Sequence, residues 1–87
     1  MSEVVDNKGN SRFELDVDGE FVIAEYRIAD GSIFFTHTET PYNLRGRGLA
    51  AEVVKAAVES ARARGLKVVP RCSYVAHWLK DHPEYQG

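Results

Sequence analysis

The apolar spacing of this 87-residue chain changes period once, and that change leaves few folds open. From Phe13 to Glu39 apolar residues alternate with polar ones, as in half-buried strands; from Gly48 to Arg64 they recur at helical spacing. FELDV (13–17) is followed by Asp18-Gly19, a hairpin turn that tolerates left-handed backbone. FVIAEYRI (21–28) carries Val22, Ala24, Tyr26 and Ile28 on one face, and Asp30-Gly31 is a second such turn before SIFFTHTE (32–39). These segments predict a three-stranded antiparallel meander. In the helical stretch Ala50, Val53, Val54, Ala57, Val58 and Ala61 form an apolar stripe opposite Glu52, Lys55, Glu59 and Arg62. Gly65 is the expected left-handed terminator, and Arg62 and Arg64 complement the negative end of the helix dipole. LKVVP (66–70) reads as a short buried strand. A strand-helix-strand unit of this length requires a right-handed crossover, which sets the fourth strand parallel to the third. SYVAHWLKDH (73–82) reads as a short helix stopped by Pro83. Residues 1–11 are polar, with a turn signature at Asn7, Lys8, Gly9 and Asn10, and read as a flexible lead-in to a single domain over 12–87. The expectation is an α/β (α+β) domain with a four-stranded, mainly antiparallel sheet, one long helix and one short one.

A chain of this size buries only roughly 60% of its unfolded surface. Its 44% hydrophobic and 10% aromatic residues are nevertheless enough to close one core, which excludes disorder. Eleven Lys and Arg against 13 Asp and Glu leave a net charge of -2, so neither nucleic acid nor anionic lipid is an expected partner. The single cysteine, Cys72, cannot close an intramolecular disulfide or build a thiolate-rich zinc site, which fits a reducing cytoplasm and no metal. MSEVVDNKGNSR lacks the basic start and apolar stretch of a signal peptide, and Glu52, Lys55 and Glu59 interrupt the long helix, so no membrane span is expected. A monomer is the expected state.

The segment PYNLRGRGLAAEV (41–53) leads directly into the long helix. Gly46 and Gly48 let backbone approach a ligand closely, and the helix start beyond them offers unpaired N–H groups with partial positive charge. Arg45 and Arg47 add two guanidinium groups, which suits a phosphate or pyrophosphate. The bland alternative is a glycine-softened loop with solvated arginines. A Walker loop is excluded because Leu49-Ala50 stands where a Lys-Ser/Thr pair is needed. Gly46, Gly48 and Ala51 satisfy the dinucleotide pattern G-x-G-x-x-A, but residues 66–76 contain no acidic residue for a ribose, and the chain is too short for a six-stranded sheet.

Arg45, Gly48 and Ala50 also satisfy R-x-x-G-x-A, which resembles the acyl-CoA pyrophosphate motif of the GNAT N-acyltransferase superfamily. HTETP (37–41), RGRGLA (45–50), VVPRCSYV (68–75) and HPEY (82–85), in this order, are similar to its minimal single-domain, YjdJ-type members. The resemblance runs from about Phe13 to Tyr85. It implies a GNAT-like fold in which the fourth strand splays from the third, and acetyl-CoA as cosubstrate. Pantetheine would then bond the strand ending at His37, Thr38 and Glu39, and the pyrophosphate would sit on amides from Arg45 through Gly46, Arg47, Gly48 and Leu49 to Ala50. The implied activity is transfer of an acetyl group to an amine, either a small molecule or a protein lysine or N-terminus. Two alternatives remain open: a CoA-binding module without transferase activity, and a Cys-dependent acyl-CoA thioesterase.

Two side chains are candidate catalysts. Strict alternation puts His37 on the face of Ile33 and Phe35, toward the core or the cleft mouth, where it could serve as general base. A satisfied core histidine is the alternative. Cys72, between a proline-ended strand and a helix start and beside Arg71, could accept the acetyl group or merely line the channel while the amine attacks directly. Tyr74 is a weaker candidate for protonating the departing thiolate. His77 and His82 lie five apart, about 140° around a helix, and so cannot chelate one metal together. HPEY is read as a helix terminator without chemistry.

Overall fold

In the computed structural model, residues 3–85 are described; Met1 and Ser2 of the expected lead-in and Gln86 and Gly87 at the end of the expected domain lie outside them. The strands are β1 (Val5–Asn7), β2 (Arg12–Val17), β3 (Glu20–Ala29), β4 (Ser32–Glu39) and β5 (Lys67–Pro70), and the helices are α1 (Leu49–Ala63) and α2 (Ser73–Asp81). They form one five-stranded sheet in the order β1-β2-β3-β4-β5. Neighbours are antiparallel except β4 and β5, which are parallel as the crossover requires.

Local chemistry explains most boundaries. Asp18 and Gly19, and again Asp30 and Gly31, both have positive φ, the backbone pair that matches a two-residue hairpin to strand twist. The Asp16 carboxylate accepts from the Gly19 amide at 2.8 Å and holds the first of these turns. Gly65, at φ 71°, follows the C-cap of α1 as expected.

The expectation for residues 1–11 is corrected. Val5–Asn7 adds a fifth strand, pairing Val5 with Glu14 and Asn7 with Arg12, and Lys8–Asn10 is a 3-10 turn, so the sheet has five strands rather than four. What secures β1 is a side chain far away in sequence. The Asp6 carboxylate accepts from the hydroxyl of buried Tyr26 at 2.6 Å and meets Arg64 at 3.4 Å. A mostly polar stretch joins the sheet here, with Val4 packed against the core and Asp6 bonded to the Tyr26 hydroxyl and to Arg64 at the end of α1.

Both helices pack on one face of the sheet. Phe13, Leu15, Val22, Ala24, Tyr26, Ile33 and Phe35 meet Val53, Val54, Ala57, Val58 and Ala61 of α1 and Val75, Trp78 and Leu79 of α2 in one core. Each fully buried aliphatic or aromatic side chain there contributes about 1.5–3 kcal/mol. The other sheet face, with Glu25, Arg27, Phe34, His37 and Glu39, carries neither helix. Pro83 stops α2 as predicted, but HPEY does more than terminate it. The Tyr85 hydroxyl donates to Glu59 of α1 at 2.6 Å, its ring lies 5.2 Å from Trp78, and His82 stacks on Trp78 at 4.1 Å. Residues 82–85 thus strap α2 to α1.

Candidate acyl-CoA site

A cleft of about 420 Å³ runs from Thr38 and Tyr74 to Arg45, Gly46, Gly48, Leu49 and Ala50. Part of its wall is the Gly46–Gly48 loop. Gly46 and Gly48 have φ of 81° and 75°, conformations that L side chains rarely adopt, and no protein atom stands where a Cβ would be. Open space over two left-handed glycines at the start of a 15-residue helix lets an anion approach the backbone and the positive end of α1. Arg45 Nε donates to the Thr40 carbonyl at 3.3 Å, which fixes one guanidinium at the rim, and Arg47 is exposed. These residues fit a diphosphate group.

The other end of the cleft is defined by where β4 and β5 part. Their pairing stops at Phe35 and Pro70, and the Phe35 carbonyl then accepts both the Arg71 and the Cys72 amides, at 3.0 and 2.9 Å. From Thr36 to Glu39 the strand has no β5 partner. This is the divergence that the resemblance implies.

A β-bulge decides which side chains meet there. Tyr26 pairs with Phe35 but Glu25 pairs with His37, so Thr36 is an extra residue and the alternation of β4 shifts by one. The expectation that His37 shares a face with Ile33 and Phe35 is thereby corrected: opposite Glu25, it stands on the outer face, 53% exposed, with Nε2 3.3 Å from Glu39. Thr38, opposite buried Ala24, takes the inner face instead. Its Oγ1 lies 3.7 Å from Cys72 Sγ. His37 and Glu39 therefore lie on the outer face of the sheet, and Thr38, which lines the cleft, meets Cys72 on the inner one.

Cys72 is the N-cap residue of α2, with extended backbone (φ -84°, ψ 132°) and a half-buried sulfur. Burial pushes its thiol up, but hydrogen bonding from the Val75 amide, the Thr38 hydroxyl, the Tyr74 amide and the Thr38 backbone outweighs that, and the net pKa lies below the ordinary thiol value. The helix start thus favours the thiolate, whereas Arg71 does not contribute: its guanidinium lies 5.6 Å from the ring of Phe34, an outer-face residue paired with Arg27. Tyr74 borders the cleft and its pKa is raised by burial, so its hydroxyl stays protonated and available to donate. Sequence reasoning missed Thr38 as the partner of the sulfur, because a strict two-residue period points it outward.

A larger cleft of about 780 Å³ lies along the free edge of β5, lined by Arg62, Leu66, Lys67, Val68, Leu79 and Tyr85 among others. It holds no thiol, imidazole or carboxylate and no glycine loop at a helix start. Among the described residues no three His, Cys, Asp or Glu side chains could hold a metal, and no helix is long and apolar enough to cross a membrane.

A mixed sheet that opens beside a glycine cradle at the start of its crossover helix defines an acyl-CoA N-acyltransferase fold. The chain belongs to the GCN5-related N-acetyl-transferase family, whose sequence profile matches residues 12–87. A solution structure of a GCN5-like protein from Staphylococcus aureus superposes with a TM-score of 0.68 at 28% identity, covering 95% of this chain and 82% of that one. Protein NATD1 from Homo sapiens is 38% identical over 69 residues, 76% of this chain and 58% of that protein. Protein NATD1 from Xenopus tropicalis is 32% identical over 66 residues, 76% of this chain and 60% of that protein. The chain thus spans about three fifths of the length of these curated relatives.

Proposed function

We propose that this protein is an N-acetyltransferase that takes the acetyl group of acetyl-CoA onto Cys72 and passes it to an amine. The observation that carries this reading is the position of the Cys72 sulfur, held by two helix-start amides and by Thr38, which lines the same cleft as the Gly46–Gly48 cradle. Amides from Arg45 to Ala50 bind the pyrophosphate, and the stretch of β4 from Thr36 to Glu39 that has no β5 partner receives the pantetheine arm. The Cys72 thiolate attacks the thioester carbonyl; its bond to carbon forms as the carbon bond to the CoA sulfur breaks, and Tyr74 protonates the departing thiolate. The amine then attacks the acetyl carbon, forming the amide and releasing the Cys72 thiolate. In this reading the amine arrives from the outer face, where His37, oriented by Glu39, accepts its proton.

The test is incubation with acetyl-CoA, first alone and then with a mixed panel of amines and lysine peptides, followed by intact-mass and product analysis. The reading expects one acetyl mass on the protein without amine, and acetylated amine with return to the free protein mass once acceptor is present. Acetylated amine without any adduct means direct transfer. Free acetate without amine means thioester hydrolysis, and binding of CoA with no product means a binding module.

A further inference from the structure

The cleft of about 420 Å³ is too small to enclose pantetheine, pyrophosphate and adenosine together, so the nucleoside must rest on the surface beyond the cradle. The surface there is unusual in one respect. Tyr42 is 85% exposed, the most exposed large apolar side chain among the described residues, yet it sits on a firmly built turn. Leu44 anchors that turn in the core, its amide bonds the Pro41 carbonyl at 2.9 Å, the Arg45 amide bonds the Tyr42 carbonyl at 3.3 Å, and Asn43 donates to Glu20 at 2.5 Å. The Arg45 guanidinium lies 5.6 Å from the centre of the Tyr42 ring and is tied on its other side to the Thr40 carbonyl.

We propose that Tyr42 is the stacking platform for the adenine of CoA, with Arg45 bridging the ring to the diphosphate; this rests on the acyl-CoA reading of the cleft. Three features converge on it. Arg45 belongs to both the cleft wall and the Tyr42 stack, so it links the phosphate site to the ring. In that reading the thiol lies toward Thr38, whose hydroxyl is 3.7 Å from the Cys72 sulfur, which leaves the Arg45 and Gly46 part of the cleft for the nucleotide. A rigid turn presents an open aromatic face at no ordering cost, and an aromatic ring is what a purine base stacks on. Tyr42 is therefore a specificity residue that distinguishes CoA from carriers bearing only phosphopantetheine.

The experiment is calorimetric titration of CoA and of 4′-phosphopantetheine into the wild type, Tyr42→Phe and Tyr42→Ala, with a thermal melt of each. Because Tyr42 is almost fully solvated, its replacement leaves the melt unchanged. Loss of a stacked base weakens CoA about tenfold in Tyr42→Ala, while Tyr42→Phe keeps CoA within about twofold, and 4′-phosphopantetheine binds all three proteins alike. Unchanged CoA affinity in Tyr42→Ala overturns the assignment, as does equal loss of both ligands or a fall in Tyr42→Phe as large as in Tyr42→Ala. Failure of the wild type to bind either ligand removes the acyl-CoA reading along with it, a pattern distinct from binding that merely ignores Tyr42.

Discussion

Thr38 Oγ1 lies 3.7 Å from Cys72 Sγ across 34 residues of sequence, and the contact exists because Thr36 bulges out of β4. Without the bulge, Thr38 would face away from the helices and the sulfur would lose its hydroxyl partner. The bulge thus decides which half of the HTET segment faces Cys72 and which half faces out.

Thr38→Val keeps the shape of the side chain and removes the hydroxyl donor. With about 1 kcal/mol for such a bond, alkylation of Cys72 by iodoacetamide at neutral pH should slow about fivefold. The sign follows from the lowered thiol pKa: losing a donor to the thiolate moves the alkylation midpoint to higher pH. An unmoved midpoint would show that the hydroxyl does not bond the sulfur.

Gly48 and Gly65 form a matched pair, with φ of 75° and 71° and no neighbour within 4 Å of a built Cβ. Replacing either by Ala should cost about 1–2 kcal/mol of stability through backbone strain alone. Only Gly48→Ala should also weaken CoA, because only Gly48 borders the cradle. Equal CoA affinity in the two variants, measured by titration after correction for folded fraction, would remove the phosphate from this loop.

His37→Ala should lower turnover about 100-fold or more with CoA affinity unchanged, the usual contribution of a general base. The side chain is exposed, so the variant should melt as the wild type does. Intact turnover would assign the ammonium proton to solvent instead.

Burial and the hydrogen bond to Asp6 push the Tyr26 hydroxyl up to about 12, above its ordinary value of 10.0. A group whose folded pKa is raised stabilises the fold fully below its unfolded pKa and loses that contribution as pH rises through the folded value. Stability should therefore decline from about pH 10 to about pH 12. Tyr26→Phe should cost about 1 kcal/mol at neutral pH for the lost bond to Asp6, and should flatten that alkaline decline. Urea denaturation of both proteins at pH 8 and pH 11 reads the difference directly.

Much of this was legible before any coordinates, and the reasons are local. Asp18-Gly19, Asp30-Gly31 and Gly65 mark left-handed backbone, the apolar stripe from Ala50 to Ala61 marks a helix face, and Gly46 and Gly48 mark a left-handed loop leading into that helix. Each signal sits within a few residues of the structure it specifies. Of the parts that were not legible, β1 and the Tyr85 strap depend on partners 20 and 26 residues away, and the inward turn of Thr38 depends on its pairing with Ala24 of β3.

The sequence by itself therefore determined the order and type of elements from Arg12 onward, the parallel pairing of β4 with β5, and the glycine loop at the start of α1, because backbone preference and hydrophobic period act locally. Tertiary structure alone decided that Asp6 joins a fifth strand to Tyr26 and that Thr38 rather than His37 faces Cys72. Side-chain alternation carries no record of an inserted residue. Which face a side chain takes beyond a bulge is set by pairing with the neighbouring strand, and that pairing exists only once the sheet has formed.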